Sequence, residues 1–207
     1  MTEAQGLLLA MMHPADADEY NDWADTEHLP ERERVPGIRT AMRYENIKSI
    51  PRFLNLYDLD DLSVLQSPSY IAISGDNSSP WSKRISSGAT HRWRFTGLCI
   101  ASWTNRENTD TTNSVGELLL VRWRGVTTRS DEVLSATFQE GLRGQAGIAR
   151  TRIFVSDNTD GSVDYAGIAE STTSFDPPLS DPDIYSTTLH SCDFTGLFAP
   201  MKSTPAR

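Results

Sequence analysis

The histidine at position 28 is the residue whose type and spacing best suit chemistry. His28 stands two residues before Pro30, near the end of a segment whose aromatic and apolar residues recur at a helical period. Proline cannot donate the hydrogen bond that the Thr26 carbonyl would accept in a regular helix, so we expect a kinked backbone beside the imidazole. An imidazole has an ordinary pKa of about 6.5 and exchanges protons near neutrality. The spacing predicts His28 as a catalytic acid or base; the alternative is a structural histidine that fixes the helix end.

Other polar and aromatic residues stand where they could assist His28. Asp25, three residues earlier on the same predicted helix face, could orient one ring nitrogen. Tyr44, on the strand after the helix, could act as a second acid, and Tyr57 is an alternative for stabilising negative charge on oxygen. The aromatic residues expected to line a substrate pocket are Trp23, Tyr57, Tyr70 and Trp81. Core packing is the alternative for each of them.

Arginines and the remaining histidines are the candidates for binding an anion or a metal. Arg39 and Arg43 lie on one predicted strand, share a face, and could clamp a carboxylate. A solvated strand face is the alternative, and Arg43 is the one we assign to substrate binding. The histidines at positions 13, 91 and 190 show no ligand spacing, so we predict no metal and no cofactor. Haem ligation by His190 or His91, which open corresponding last strands, stays open as an alternative.

The two halves of the chain repeat three short segments in the same order. The matching pairs are residues 7–9 and 118–120, 35–39 and 145–149, and 95–98 and 194–197. A polar stretch without apolar periodicity separates them. We therefore predict a first repeat at 1–103, a linker at 104–114 and a second repeat at 115–207. The position corresponding to His28 falls near Gln139, so the first repeat is expected to bear the site.

Each half shows the pattern strand, helix, strand, strand, short helix, strand. In the first half the predicted elements are strand 5–12, helix 16–34, strands 38–44 and 52–59, helix 61–72, a serine- and glycine-rich excursion 74–90 and strand 91–101. In the second they are strand 116–124, helix 130–142, strands 148–155 and 163–171, a turn or helix at 181–188 and strand 190–199. This order predicts an α+β fold of two ferredoxin-like βαββαβ repeats, packed sheet-to-sheet as an intrachain α+β barrel.

The segment Trp23-Ala24-Asp25-Thr26-Glu27-His28-Leu29-Pro30, followed by Val35-Pro36-Gly37, resembles the EthD-like branch of the dimeric α+β barrel superfamily. The resemblance covers about residues 5–100. It implies the barrel fold and a cleft between helix and sheet, in which many relatives work without a metal, using a histidine with a tyrosine or a carboxylate. Other relatives degrade haem or have no known activity, so the fold alone does not fix the reaction.

Composition restricts the partners. The net charge of −9 argues against nucleic acid or an anionic membrane as the main partner, because both attract clustered lysine and arginine. The early apolar run at residues 6–12 is too short to cross a bilayer and lacks a basic flank. Cys99 and Cys192 lie in apolar stretches without metal-type spacing and are expected to be free thiols. We predict a cytoplasmic protein that binds a small molecule, with a homodimer as an open possibility.

Taken together, these features favour a cofactor-independent acid–base enzyme of the isomerase, cyclase or lyase type. Its substrate would be a small, largely apolar, oxygenated metabolite, and His28 would donate or accept the proton. A non-catalytic small-molecule binding protein is the second hypothesis, and a haem-dependent oxidoreductase is the third.

Overall fold

The computed structural model describes residues 5–46, 48–105, 116–175 and 179–201. The chain divides into two compact units, one of residues 1–96 with 201–207 and one of residues 97–200. The repeat boundaries proposed from the sequence stay predictions, and nearly all of the predicted linker 104–114 lies outside the described residues.

The elements up to residue 104 follow the predicted order, with additional short helices before the last strand. They are β1 Gly6–His13, α1 Ala17–Trp23, a π-helical turn Ala24–His28, α2 Leu29–Glu33, β2 Ile38–Glu45, β3 Phe53–Leu59, a 3₁₀ turn Leu62–Gln66, α3 Pro68–Ile71, a 3₁₀ turn Gly75–Asn77, α4 Pro80–Gly88 and β4 Thr90–Thr104. The predicted helix 16–34 is thus two α-helical segments joined by a π-helical turn.

Strand β3 is the central strand of the first unit, and it places Tyr57. It pairs antiparallel with β1 on one side and β2 on the other, and all seven of its residues are buried. Tyr57 stands opposite Leu8 on β1 and Ala41 on β2. It packs in an apolar cluster with Leu8, Leu29 and other buried residues beneath the helices. A side chain at this position is held from both neighbouring strands.

The start of α1 and the turn after α2 are set by local chemistry. Asp16 has extended backbone, and its carboxylate accepts hydrogen bonds from the backbone N–H groups of Asp18 and Glu19 at 2.9 and 3.0 Å. The chain then turns into β2 at Gly37, whose φ is +92°. A Cβ atom there would collide with Val64, so both the conformation and the space require glycine.

The excursion at residues 74–90 contains a regular helix that periodicity did not predict. Ser79 caps α4 by accepting a hydrogen bond from the Ser82 N–H at 2.9 Å, and Pro80 occupies the first turn. This Ser-Pro pair is a helix-start signal. It is hard to recognise in this sequence because the following turns are rich in serine, and only Ile85 of α4 is fully buried.

The second unit contains β5 Glu117–Val126, α5 Asp131–Gly141, β6 Ile148–Asp157, β7 Val163–Ser171, a 3₁₀ turn Pro182–Tyr185 and β8 Phe194–Pro200. Strand β7 lies between β5 and β6, and β8 pairs with the other edge of β5. The core packs around Trp123, Phe138 and Tyr185. The Trp123 indole N–H donates to the Tyr185 carbonyl at 2.8 Å, which satisfies the one polar atom of this large side chain.

The predicted fold class of two ferredoxin-like repeats packed sheet-to-sheet is wrong. The eight strands are hydrogen-bonded in one closed barrel, in the order β1-β3-β2-β8-β5-β7-β6-β4. Separate four-stranded sheets would leave edge strands with unpaired backbone N–H and C=O groups. Closing the barrel pairs those edges, which is why edge pairing rather than face-to-face packing completes this fold.

No helix in the described part of the chain is long and apolar enough to cross a membrane. Cys192 is buried and Cys99 is partly buried, and neither forms a disulfide within the described residues.

Candidate functional site

A π-helical turn at Ala24–His28 places His28. The Leu29 N–H bonds to the carbonyl of Ala24, five residues back, instead of to the residue four back as in an α-helix. Pro30 follows in the first turn of α2. The irregular backbone expected beside the imidazole is therefore a wider helical turn. Such turns are rare in proteins and occur frequently at functional sites.

The His28 ring is held by two aromatic residues. It stacks on the Trp23 indole with ring centroids 4.1 Å apart and planes 24° apart. Its Nε2 atom is hydrogen-bonded to the Tyr57 hydroxyl at 2.8 Å. Its other nitrogen, Nδ1, is buried and has no hydrogen-bond partner among the described residues. The site therefore leaves one ring nitrogen unsatisfied, which is unusual for a buried polar atom.

The environment of His28 and Tyr57 keeps both groups neutral near pH 7. Burial lowers the pKa of His28 to about 3, with a smaller contribution from the neighbouring Arg32 guanidinium. Burial raises the pKa of the Tyr57 hydroxyl well above its ordinary value. A neutral imidazole has one N–H donor and one lone pair. If Tyr57 donates to Nε2, Nδ1 bears the proton; if Nε2 donates to Tyr57, Nδ1 has the lone pair.

A polar network fixes the Trp23 ring on which His28 stacks. The Trp23 indole N–H donates to Ser82 Oγ at 3.0 Å, and the Ser82 hydroxyl donates to Glu27 Oε1 at 3.1 Å. Ser79 Oγ donates to the same carboxylate oxygen at 2.5 Å. The network thus connects the π-helical turn to the first turn of α4. A ring restrained at its indole nitrogen keeps its position while it supports the imidazole.

Arg32 occupies the next turn after His28 and is almost completely buried. Both terminal nitrogens of its guanidinium donate to the Ile73 carbonyl at 3.1 Å. The guanidinium carbon lies 5.1 Å from the centre of the Tyr70 ring, within range of a cation–π interaction. Arg32 therefore joins α2 to the segment after α3 and places a permanent positive charge near His28.

A cavity of about 450 Å³ opens beside these groups in the first unit. It combines apolar and aromatic walls with serine hydroxyls and arginines, the composition typical of small-molecule sites. The lining residues are Leu8, Ala10, Met11, Trp23, His28, Arg32, Tyr57, Tyr70, Ser74, Gly75, Ser78, Ser82, Ser86, Arg92, Trp93 and Arg94. A second lobe of about 620 Å³ shares Tyr70, Arg92 and Arg94 with it and adds Lys83.

The structure brings four of the residues predicted from the sequence to this cavity and places the other four elsewhere. Trp23, His28, Tyr57 and Tyr70 line the cavity, whereas Asp25, Arg43, Tyr44 and Trp81 do not. Asp25 forms an ion pair with Arg43 at 2.9 Å, and their side chains are 8% and 2% exposed. Tyr44 is buried on β2, and Trp81 packs against the cluster around Tyr20 and Phe53.

Sequence reasoning missed several polar residues of the site: Glu27, Arg32, Ser82, Arg92 and Arg94. The sequence does indicate Arg32, because a residue four positions after His28 lies on nearly the same face of a helix. Arg92 and Arg94 alternate along β4 and share a strand face, the same pattern that drew attention to Arg39 and Arg43. That pattern does not distinguish arginines that line a cavity from arginines on a solvated strand face. Arg39, for example, shows the pattern but forms an ion pair with Asp60 at 2.5 Å.

The second unit has a cavity with different chemistry. Its volume is about 570 Å³, and it is lined by Trp103, Asn105, Gln139, Leu142, Arg143, Gln145, Gly147, Ile148 and Thr151. Gln139, at the position matched to His28, donates a hydrogen bond to the Thr151 hydroxyl at 2.8 Å. No histidine or tyrosine lines this cavity in the described part of the chain. Acid–base side chains are thus found in the cavity of the first unit and not in this one.

Comparison with known proteins gives relatives by structure only. No family model and no curated protein sequence matches the chain. An anthrone oxidase-like protein has 8% sequence identity and a TM-score of 0.66, with 97% of this chain and 92% of that chain covered. A putative monooxygenase from Lactobacillus acidophilus has 11% identity and a TM-score of 0.53, with 98% and 95% covered. A haem-binding protein from Thermus thermophilus has 11% identity and a TM-score of 0.54, with 98% and 93% covered. The chain shares the fold of these solved structures.

Proposed function

We propose that the chain is a cofactor-independent enzyme that moves a proton on a small, largely apolar, oxygenated metabolite. The observation behind the proposal is the 2.8 Å hydrogen bond between His28 Nε2 and the Tyr57 hydroxyl at the wall of the cavity. A titratable ring and a phenol in hydrogen-bond contact, one of them with an unsatisfied nitrogen, form an acid–base pair.

The two side chains would have complementary roles. Tyr57 stays protonated because burial raises its pKa, so it can donate a hydrogen bond to a substrate oxygen on which negative charge develops. When Tyr57 turns to the substrate, His28 loses that partner and is available as the base. An imidazole with a pKa of about 3 is a weak base in the empty site. Negative charge developing on the substrate beside it would raise that pKa, because an adjacent anion stabilises the imidazolium.

In this proposal Tyr57 has the role that the sequence assigned first to Tyr44. Asp25 would act indirectly, because its ion pair with Arg43 would fix the helical turn that carries His28. The EthD-like resemblance of residues 23–30 supports a site at His28. The anthrone oxidase-like neighbour suggests a first test substrate, since anthrone is an apolar aromatic ketone with an acidic methylene group. The assignment to the isomerase, cyclase or lyase class stays part of the proposal.

A non-catalytic binding protein is the second candidate. The observation that favours it is the neutral state of both His28 and Tyr57, because two neutral hydrogen-bonding groups suffice to hold a ligand. A homodimer and a cytoplasmic location also stay predictions.

Haem is suggested by several neighbours, including a haem-binding protein and a chlorite dismutase, but His28, His190 and Cys192 do not suit its iron. Haem iron needs an axial histidine, cysteine thiolate or tyrosine. His28 is engaged by Tyr57 through Nε2, and its Nδ1 is buried. His190 Nε2 is hydrogen-bonded to Ser130 at 3.0 Å. Burial raises the pKa of Cys192 to about 11, which disfavours the thiolate. The proposed proton transfer therefore does not involve haem.

The direct test is proton exchange on anthrone in D₂O without oxygen, followed by ¹H NMR. We expect the wild type to accelerate loss of the methylene signal, and His28→Gln and Tyr57→Phe to lower that rate about 10²–10⁴-fold. Matched controls are His91→Gln, whose ring is exposed, and Tyr44→Phe, whose ring does not line the cavity. Melting temperatures of all variants show whether each is folded.

A His28→Gln variant as active as the wild type would overturn the acid–base role. If anthrone binds but no exchange is accelerated, and the same holds for hydroxylated aromatic ketones, the binding-protein candidate replaces the enzyme.

A further inference from the structure

The walls of the two lobes beside His28 have a charge that the composition does not predict. The chain has 28 acidic and 19 basic residues. Nevertheless the residues that line the two lobes include Arg32, Lys83, Arg92 and Arg94, and no aspartate or glutamate within the described ranges. A cavity lined by one sign of charge concentrates ligands of the opposite sign, and low-dielectric walls strengthen the effect.

Arg92 and Arg94 are the two arginines of the lobes that the fold engages least. They stand at alternate positions of β4, so their side chains leave the same face of the strand. Arg92 makes no hydrogen bond or ion pair among the described residues, and Arg94 makes a single long hydrogen bond of 3.5 Å to the Tyr70 hydroxyl. Arg32, in contrast, already donates from both terminal nitrogens to Ile73. The lobe thus offers one guanidinium group without a bond to the described residues and one held only by a long hydrogen bond.

Serine hydroxyls complete this wall. Ser82 and Ser86 are one turn apart on α4, and Ser74 and Ser78 precede that helix. Ser82 is bonded to Trp23 and Glu27, whereas the hydroxyls of the other three make no hydrogen bond within the part of the chain that the structure describes. Glu27, which also accepts from Ser79, is the carboxylate bonded to this network, and it is not among the lining residues. Hydroxyl and guanidinium donors together form a site for an anion.

We propose that the substrate is an organic carboxylate whose anionic group is bound by Arg92 and Arg94, while its apolar oxygenated part reaches His28 and Tyr57. The proposal rests on the function proposed above and adds the substrate class. A carboxylate is favoured because its two oxygens match the fork of a guanidinium, and because the lining continues directly into aromatic walls at Trp93 and Tyr70.

Calorimetric titration with 2-naphthoate and its neutral isostere 2-naphthamide tests the proposal. We expect the wild type to bind the acid at least about tenfold more tightly, as charge-assisted hydrogen bonds imply, and the preference to weaken with added NaCl. Arg92→Gln/Arg94→Gln should abolish the preference. Arg39→Gln/Arg84→Gln is the matched control, since both arginines are exposed or half-buried and paired with carboxylates outside the lobes, and it should keep the preference. Single Arg92→Gln removes no hydrogen bond or ion pair to the described residues, and it provides a second measurement if the double variant is unstable.

Equal affinity for acid and amide in the wild type, or a preference that survives in Arg92→Gln/Arg94→Gln, would overturn the carboxylate site. Displacement of 2-naphthoate by an equal concentration of inorganic phosphate would also overturn it, because the lobe would then be a general anion site. His28→Gln separates this inference from the proposed function. If that variant stays catalytically active while the acid preference maps to Arg92 and Arg94, the acid–base role fails and the carboxylate site stands.

Discussion

The Nε2 atom of His28 lies 2.8 Å from the Tyr57 hydroxyl, and the imidazole is stacked on Trp23 on its other side. His28 comes from a helical turn and Tyr57 from the central strand of the first unit. Their contact therefore depends on the packing of α1 and α2 against the sheet. It also makes the protonation state of one residue a property of the folded state, which leads to the first prediction.

The stability of the protein should fall as the pH falls from about 6.5 towards 3. The unfolded chain binds a proton at His28 below its ordinary pKa of about 6.5, whereas burial holds the folded pKa at about 3. In that window the unfolded state binds more protons, so the free energy of unfolding decreases with decreasing pH; above it, His28 contributes no pH dependence. The slope approaches about 1.4 kcal/mol per pH unit.

Urea unfolding of the wild type and His28→Gln at pH 7.5, 6.5, 5.5 and 4.5 measures this contribution. The stability difference between the two proteins should be constant above pH 6.5 and should shift in favour of His28→Gln at lower pH. His91→Gln serves as the control for an exposed histidine. A difference that does not vary with pH would contradict a depressed His28 pKa.

Removing the Ser82 hydroxyl should impair the site without removing a reacting group. In Ser82→Ala the Trp23 indole N–H loses its acceptor and Glu27 loses a donor, which we expect to lower the free energy of unfolding by about 1–3 kcal/mol. The exchange rate should fall less than in His28→Gln, because the ring that supports the imidazole is loosened rather than lost. Ser87→Ala on the same helix, whose hydroxyl bonds only to the exposed Arg84 carbonyl, is the matched control. Indistinguishable stability and rate in the two serine variants would refute the network.

Asp25→Asn should lower stability more than it lowers catalysis. The carboxylate forms a buried ion pair with Arg43, and leaving that guanidinium without its counter-charge costs about 3–5 kcal/mol. Activity per folded molecule should stay within a few-fold of the wild type, since Asp25 does not line the cavity. Asp60→Asn, which breaks a more exposed pair with Arg39, should cost about 1 kcal/mol or less. Chemical denaturation gives the stability of each variant, and the NMR exchange assay, corrected for the folded fraction, gives its activity. A large loss of rate in fully folded Asp25→Asn would contradict this prediction and indicate that Asp25 takes part in the reaction.

Gly37→Ala should be costly because two effects coincide at that turn. The backbone is left-handed, with φ at +92°, and a methyl group would collide with Val64. Together these should lower the free energy of unfolding by about 2–4 kcal/mol. Gly144→Ala has a similar φ of +82° but open space around the added atom. It should therefore lower the free energy of unfolding only by the cost of the left-handed backbone, about 1–2 kcal/mol. Equal melting temperatures for the two variants would show that the contact with Val64 relaxes freely.

The local pattern of the sequence predicted most elements, but it could not predict how the strands close. Strands such as β1 and β3 and the glycine turn at Gly37 follow from alternation and residue type. The closed barrel order joins strands far apart in the chain, and no local periodicity encodes which edges pair. Burial of the apolar sheet faces favours a face-to-face arrangement, but it gives no information on which strand edges pair.

At the site, the aromatic residues were easier to predict than the polar ones. Trp23, Tyr57 and Tyr70 do line a cavity with His28. An α-helical spacing predicts Asp25 beside His28, but both residues belong to the π-helical turn, whose wider spacing changes the angular relation of the two side chains. Arg92 and Arg94 alternate along β4 as Arg39 and Arg43 alternate along β2. The alternation alone does not show which of the two pairs lines a cavity, and only the folded structure does.

The wide turn at residues 24–28 also makes chain length at this point a determinant of the site. This turn closes its hydrogen bond over five residues where an α-helix uses four, so it takes up one residue without turning the rest of the helix. One further residue inserted there would exceed what the turn takes up, and every later side chain of the helix, Arg32 included, would rotate by about 100°. A sequence with one additional residue between Trp23 and Pro30 is therefore expected to keep the barrel and to turn Arg32 away from the cavity.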